Sequence, residues 1–140
     1  MKIVINNSAW EAMKHDAETR FPNECCGFFY GQYGDEKTVS QVLVINNTKD
    51  GDQRRRFEIS PEDYLKGERY ALKHGLDLLG VYHSHPNHPA VPSEHDRISA
   101  VPVFSYIIIS VMEGISAEVT SWILNDASRF EKEELNINKK

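Results

Sequence analysis

The sequence contains only two cysteines, Cys25 and Cys26, and they are adjacent. Neighbouring thiols suit no ordinary disulfide framework, so the chain is expected in a reducing compartment. Positive charge is also in deficit, with 16 Lys and Arg against 21 Asp and Glu and a net charge of -5. A general nucleic-acid binder needs a basic face to neutralise phosphate, and this balance argues against one. No apolar run reaches the length of a membrane span. The longest, residues 103–112, is interrupted by serines and predicts a buried strand. The segment Met1-Lys2-Ile3-Val4-Ile5-Asn6 lacks the apolar core and cleavage site of a signal peptide. These absences together predict a cytoplasmic protein. Linkers, internal repeats and low-complexity stretches are missing too, so residues 1–140 are expected to form one domain around one core.

The order of elements predicts an α+β fold rather than a doubly wound parallel sheet. Ile3 and Ile5 alternate as in a short strand. Ser8 and Glu11 form a capping box for a helix over residues 9–20, and Pro22 stops it. Residues 26–31 and 39–45 predict an antiparallel hairpin around Gln32-Tyr33-Gly34-Asp35. A polar loop over residues 46–56 ends in Arg54-Arg55-Arg56, and Phe57 and Ile59 suggest a brief strand after it. Ser60-Pro61-Glu62-Asp63 opens a second helix, with Tyr64, Leu65, Ala71 and Leu72 on its buried side and Gly75 past its end. Residues 78–85 predict a strand, and residues 86–92 a loop stiffened by prolines. Ser93 caps a short helix, and residues 104–112 and 115–124 flank Glu113-Gly114 as a long hairpin. The polar C-terminal segment, residues 125–140, carries Phe130, Leu135 and Ile137, enough for an edge strand.

Chemistry-bearing residues concentrate in Gly80-Val81-Tyr82-His83-Ser84-His85-Pro86 and just beyond it. Residues i and i+2 of a strand share a face, so both imidazoles can converge on one point. Seven residues separate His85 from Ser93, and two separate Ser93 from Asp96. Two imidazoles and a carboxylate make a three-ligand set that leaves one zinc position open, the catalytic rather than the structural pattern. Ser93 and Asp96 are also spaced as a plain capping box, and the two readings are compatible, since a cap would orient both side chains rigidly. A metal-assisted hydrolase needs a general base as well. Glu24 is the candidate, because it stands between Pro22 and the apolar strand at Cys26-Gly27; a solvated loop glutamate is the alternative.

Glu24-Cys25-Cys26-Gly27, followed downstream by His83-Ser84-His85-Pro86, Ser93 and Asp96, resembles the motif of the JAMM (MPN-plus, Mov34/PAD-1) zinc metalloprotease family. The similarity in element order runs over residues 1–124. The resemblance implies a curved mixed β-sheet with packed helices, like that of cytidine deaminases. It further implies that His83, His85 and Asp96 ligate Zn2+, that Glu24 is the general acid/base, and that Ser93 stabilises the oxyanion. Family members hydrolyse peptide or isopeptide bonds after the C-terminal glycine of ubiquitin-like proteins, whose tail would lie extended along a sheet edge. The short chain is most similar to the compact bacterial branch, some of which processes ubiquitin-like sulfur-carrier proteins.

Other readings of the same residues stand beside this one. A non-catalytic MPN scaffold is the first, although all five motif positions are filled. A non-haem iron oxygenase would use the two-histidine, one-carboxylate set but leave Glu24 and Ser93 without a role. A zinc deaminase would need a Pro-Cys-x-x-Cys motif, which is absent. His88 and His95 lie off the pattern, as loop residues or as hydrogen-bond partners of the ligands. His15 and His74 are expected on helix surfaces. Cys26 reads as a small buried apolar residue, and Cys25 as another or as a redox-sensitive thiol. The arginine triplet is a solvated loop or a partner for a substrate carboxylate.

Overall fold

The computed structural model describes residues 2–138, so Met1, Lys139 and Lys140 lie outside the described residues of the expected 1–140 unit. In chain order the elements are β1 (Ile3–Asn6), α1 (Asn7–Arg20), β2 (Cys26–Gln32), β3 (Lys37–Ile45), α2 (Pro61–His74) and β4 (Asp77–Pro86). They continue with α3 (Glu94–Ser99), β5 (Ser105–Met112), β6 (Ile115–Leu124), β7 (Phe130–Glu133) and β8 (Leu135–Asn138). The strands form one eight-stranded sheet in the order β7-β6-β5-β4-β2-β3-β1-β8. It is mixed: β1 runs parallel to β3 and β8, β4 runs parallel to β5, and the other neighbours are antiparallel. The α+β expectation and its curved mixed sheet are therefore what the chain adopts.

The central strands are buried on both faces, which is why β2, β4 and β5 read as continuous apolar runs rather than alternating ones. On one face, Ala9, Met13 and Ala17 of α1 pack against Phe29, Leu79, Tyr82 and Ile107. On the other, Ala71 of α2 packs with Phe28, Tyr30, Val81 and Tyr106. Fully burying an aromatic such as Phe28 or Phe29 contributes about 1.5–3 kcal/mol.

Several sequence expectations are corrected. The cap of α1 is Asn6, whose side chain accepts from the Ala9 N–H, so the helix starts ahead of Ser8. In α2 the buried residues are Gly67 and Ala71, whereas Leu72 is 84% exposed and Leu65 48%. The cause is the sheet beneath: a Cβ on Gly67 would sit 2.6 Å from the Phe28 ring, and Tyr30 Oη donates to the Gly67 carbonyl at 2.9 Å. Bulky aromatics rise from the strand, so the helix meets them with its small residues. Phe57 and Ile59 lie in an irregular segment rather than a strand. The C-terminal segment forms two short strands, not one, and they sit at opposite edges of the sheet.

Only Glu134 separates β7 from β8, so the sheet must curl until its two edges approach one another. A buried ion pair pins that closure. Lys37 Nζ of β3 reaches Glu133 Oε2 of β7 at 2.8 Å and donates to Ser105 Oγ of β5 at 2.6 Å. Ser121 Oγ of β6 donates to the other Glu133 oxygen at 2.8 Å. No described helix is long and apolar enough to cross a membrane.

Candidate active site

Strand β4 carries the two histidines to the C-terminal end of the sheet, flanked by β2 and β5. Period-2 alternation puts His83 and His85 on the α2/α3 face and Ser84 on the α1 face. Across from them, α3 begins at Ser93 with the capping box the spacing predicts: Ser93 Oγ accepts from the Asp96 N–H at 3.0 Å, and Asp96 Oδ2 accepts from the Ser93 N–H at 2.9 Å. The cap turns Asp96 inward onto the histidines. His83 Nε2 and His85 Nε2 are 3.2 Å apart, and Asp96 Oδ2 lies 3.3 Å from the first and 3.2 Å from the second.

This triangle is chemically incomplete by itself. His85 Nδ1 faces the Pro89 carbonyl at 2.9 Å, an acceptor that selects the tautomer with its proton on Nδ1 and the lone pair on Nε2. That lone pair confronts a carboxylate oxygen, and a proton on His83 could relieve only one of the three contacts. A cation at the centre would relieve all of them. A tetrahedral ion with bonds of ~2.0–2.1 Å holds its ligands ~3.3–3.4 Å apart, and the observed separations fit that spacing.

Burial lowers the His83 pKa and holds its ring neutral despite the neighbouring Asp96. For Asp96, burial works against the charged form but is outweighed by the polar surroundings of the adjacent His83 and His85 rings and by the hydrogen bond from the Ser93 N–H, leaving its pKa below the ordinary carboxylate range. Phe57 stacks on the His83 ring at a centroid distance of 4.5 Å.

Glu24 closes the site from the β2 side. It is 4% exposed, and its Oε1 is buried without a hydrogen-bond partner. Glu24, His83 and His85 offer ligand atoms within 4.8 Å of one another. The tighter trio with Asp96 is the better-matched ligand set, and Glu24 stands back from it. Burial, reinforced by the Asp96 charge and only partly offset by Arg56, pushes the Glu24 pKa up to about 9. A cavity of about 470 Å3 opens beside these groups, lined by Glu24, His85, Ser93, His88, Val91 and Arg55 among others. The Ser93 hydroxyl uses a lone pair for the cap, which leaves its O–H to donate into that cavity.

All five residues singled out by the motif, Glu24, His83, His85, Ser93 and Asp96, are thus brought together. The sequence matches the family of prokaryotic homologues of the JAB domain over residues 6–125. The chain belongs to that family. The motif resemblance is borne out at this level. A desampylase of Pyrococcus furiosus is 31% identical over 107 residues, 76% of this JAB-domain chain and 71% of the relative. A probable TtuB-protein conjugate cleaving protease of Thermus thermophilus is 30% identical over 96 residues, 69% of this chain and 61% of that one. The solution structure of a Desulfitobacterium hafniense protein superimposes with a TM-score of 0.85 at 29% identity, covering 99% of this chain and 94% of its own.

The remaining sequence candidates fall outside the reacting groups of the JAB-domain site. His95 Nδ1 contacts Arg56 Nη1 at 3.4 Å, and His88 lines the cavity while its carbonyl accepts from Ser110 Oγ. His15 and His74 are exposed. Cys25 and Cys26 are buried, and burial pushes the first thiol well up and the second up to about 12, so neither is a thiolate at neutral pH. Arg55 reaches the cavity wall, and its guanidinium is paired loosely with Asp52 at 3.9 Å. Sequence reasoning missed Phe57, the Pro89 carbonyl and Ser84, whose Oγ accepts from the Cys25 N–H at 2.8 Å. Ser84 had a usable signal, since its place between two histidines of one strand puts it on the opposite face.

Proposed function

We propose that this chain is a zinc-dependent hydrolase that cleaves a peptide or isopeptide bond after the C-terminal glycine of a ubiquitin-like protein of the sulfur-carrier type. His83, His85 and Asp96 would hold the ion, which would supply Lewis-acid chemistry there, making water a stronger acid and polarising a carbonyl. Glu24, which a divalent charge beside it would return to the ionised form, takes the proton from the attacking water and returns it to the leaving amine. The Ser93 O–H donates to the oxygen that gains negative charge, the electrostatic contribution that is largest in many acyl-transfer enzymes. One observation carries the reading: a buried carboxyl with an unpartnered oxygen faces three convergent lone-pair groups beside an open cavity.

The names of the relatives, a desampylase and a protease for TtuB–protein conjugates, support a ubiquitin-like partner. We take residues 1–140 as one catalytic domain acting in the cytoplasm.

The test uses zinc-loaded protein and a sulfur carrier extended by one residue past its terminal Gly-Gly, followed by intact-mass spectrometry. The expected result is a mass loss equal to the extension, absent with Glu24→Gln although that protein keeps its zinc. His85→Ala is expected to lose both zinc and hydrolysis. Undiminished turnover by Glu24→Gln removes the proposed base. Absence of both cleavage and zinc in the wild type supports the non-catalytic scaffold instead.

A further inference from the structure

The polar loop between β3 and α2, residues 46–58, is organised around a single amide. Asn47 Oδ1 accepts from the Lys49 N–H at 3.0 Å and from the Glu58 N–H at 3.1 Å. Its Nδ2 donates to the Arg56 carbonyl at 3.0 Å and to the Glu24 carbonyl at 3.3 Å. An amide side chain has two N–H donors and two acceptor lone pairs, so Asn47 has every one engaged. Turning the amide over would set oxygen against carbonyls and N–H against N–H, which fixes its orientation.

Three of those four bonds tie the loop to itself, and the fourth leaves it to grip Glu24. The loop grips the same residue a second time, because the Glu24 N–H donates to the Gln53 carbonyl at 2.7 Å. Gln53 is itself held to the loop, its Nε2 donating to the Asn47 carbonyl at 3.1 Å and the Lys49 carbonyl at 3.0 Å. Glu24 needs this support, because it precedes the first ladder residue of β2 and belongs to no strand or helix. From the other side, the Cys25 N–H is held by Ser84 Oγ between the two histidines. The loop also places Phe57 on the face of His83. One hydrogen-bonded frame therefore meets both the proposed base and one proposed ligand.

We propose that Asn47 is a positioning residue for catalysis, fixing the backbone of Glu24 so that its carboxylate is held at a set distance from His83, His85 and Asp96. This rests on the reading of Glu24 as the base. Displacing a reacting group by about 1 Å costs on the order of a hundredfold in rate, so loss of the grip shows in kcat rather than in binding.

The decisive variant is Asn47→Asp, which keeps the acceptors for Lys49 and Glu58 and removes both donors. With the extended sulfur carrier, kcat is expected to fall about 10- to 100-fold with KM changed less than about threefold and one equivalent of zinc retained. Thr48→Val serves as control: it deletes the loop bond from Thr48 Oγ1 to the Glu58 carbonyl without touching Glu24, and kcat is expected to hold. Amide hydrogen exchange by NMR gives a readout independent of activity, with faster exchange expected at Glu24 in Asn47→Asp and unchanged exchange in β4 and β5. A wild-type kcat in Asn47→Asp, or an equal loss in Thr48→Val, overturns the proposal. If the wild type leaves the extended carrier intact while Glu24 still exchanges faster in Asn47→Asp, the grip stands and the sulfur-carrier reading falls.

Discussion

Replacing Glu24 with Gln is expected to stabilise the metal-free protein in alkaline solution and to do little in acid. The folded protein raises this carboxyl from 4.5 to about 9, chiefly because it is buried and secondly because Asp96 is negative. A carboxyl raised by folding binds its proton more tightly in the native state. Its stabilising contribution is therefore fully present below the unfolded value and is lost as pH rises toward the folded one. Within that window each pH unit is worth about 1.4 kcal/mol, so moving from about pH 5 to about pH 8 removes up to about 4 kcal/mol. Local opening that lets water reach the carboxylate lowers this, which makes the figure a ceiling. Gln has no such proton to lose. Urea unfolding of both proteins, metal removed by chelation, at the two pH values gives a double difference in which any packing change common to both pH values cancels. The advantage of Glu24→Gln should grow by several kcal/mol between the two. Adding zinc should shrink the wild-type slope, because a divalent charge near the carboxylate favours its ionised form. Parallel pH profiles for the two metal-free proteins would refute the argument that Glu24 is a buried, unpaired carboxyl.

Ser93→Ala should lower kcat by about 10²–10³ with zinc retained, and removing the cap should also cost about 1 kcal/mol in a denaturant melt. Equal kcat in Ser93→Ala would take the hydroxyl out of the mechanism. Glu133→Ala strands Lys37 as a buried unpaired charge and should cost about 3–5 kcal/mol by urea unfolding, whereas Lys37→Met combined with Glu133→Leu should recover most of it. Leu72→Ala, at a site 84% exposed, should change stability by no more than about 0.5 kcal/mol; a loss of several times that would contradict the packing of α2 on its small residues.

The site was legible in the sequence because its proposed ligands come from two short stretches with fixed local geometry, a strand with period 2 and a capped helix start. Glu24 was harder, since nothing local marks it except an acidic residue ahead of an apolar strand, and its partner lies at the end of a strand 59 positions later. Leu65 and Leu72 of α2 were misread because leucine spacing suggested a core stripe, while Ala71, read correctly, shares its stripe with Gly67 under the control of Phe28 and Tyr30 on a different element. Asn6 displaced Ser8 as a cap because a strand end delivers it there directly. The loop around Asn47 looked like an ordinary polar connection, since its order lies in side-chain bonds to distant backbone groups that no periodicity encodes. The closing strands β7 and β8 are four residues each, too short for alternation to announce two partners.

The way the sheet closes imposes an order on synthesis. β1 is made before either of its neighbours: β3 begins at Lys37, and β8 begins at Leu135. The segments that meet at His83, from Glu24 to the end of β5 at Met112, have all been made well before that last strand. A growing chain can therefore bring Glu24, His83, His85 and Asp96 together while one edge of β1 still lacks a partner, and β8 acts as a latch on an already assembled site. Because closing a longer loop costs only logarithmically more entropy, this late pairing is a matter of timing more than of stability. A nascent chain stalled just after β6 should bind metal before it acquires the resistance to proteolysis of the closed sheet.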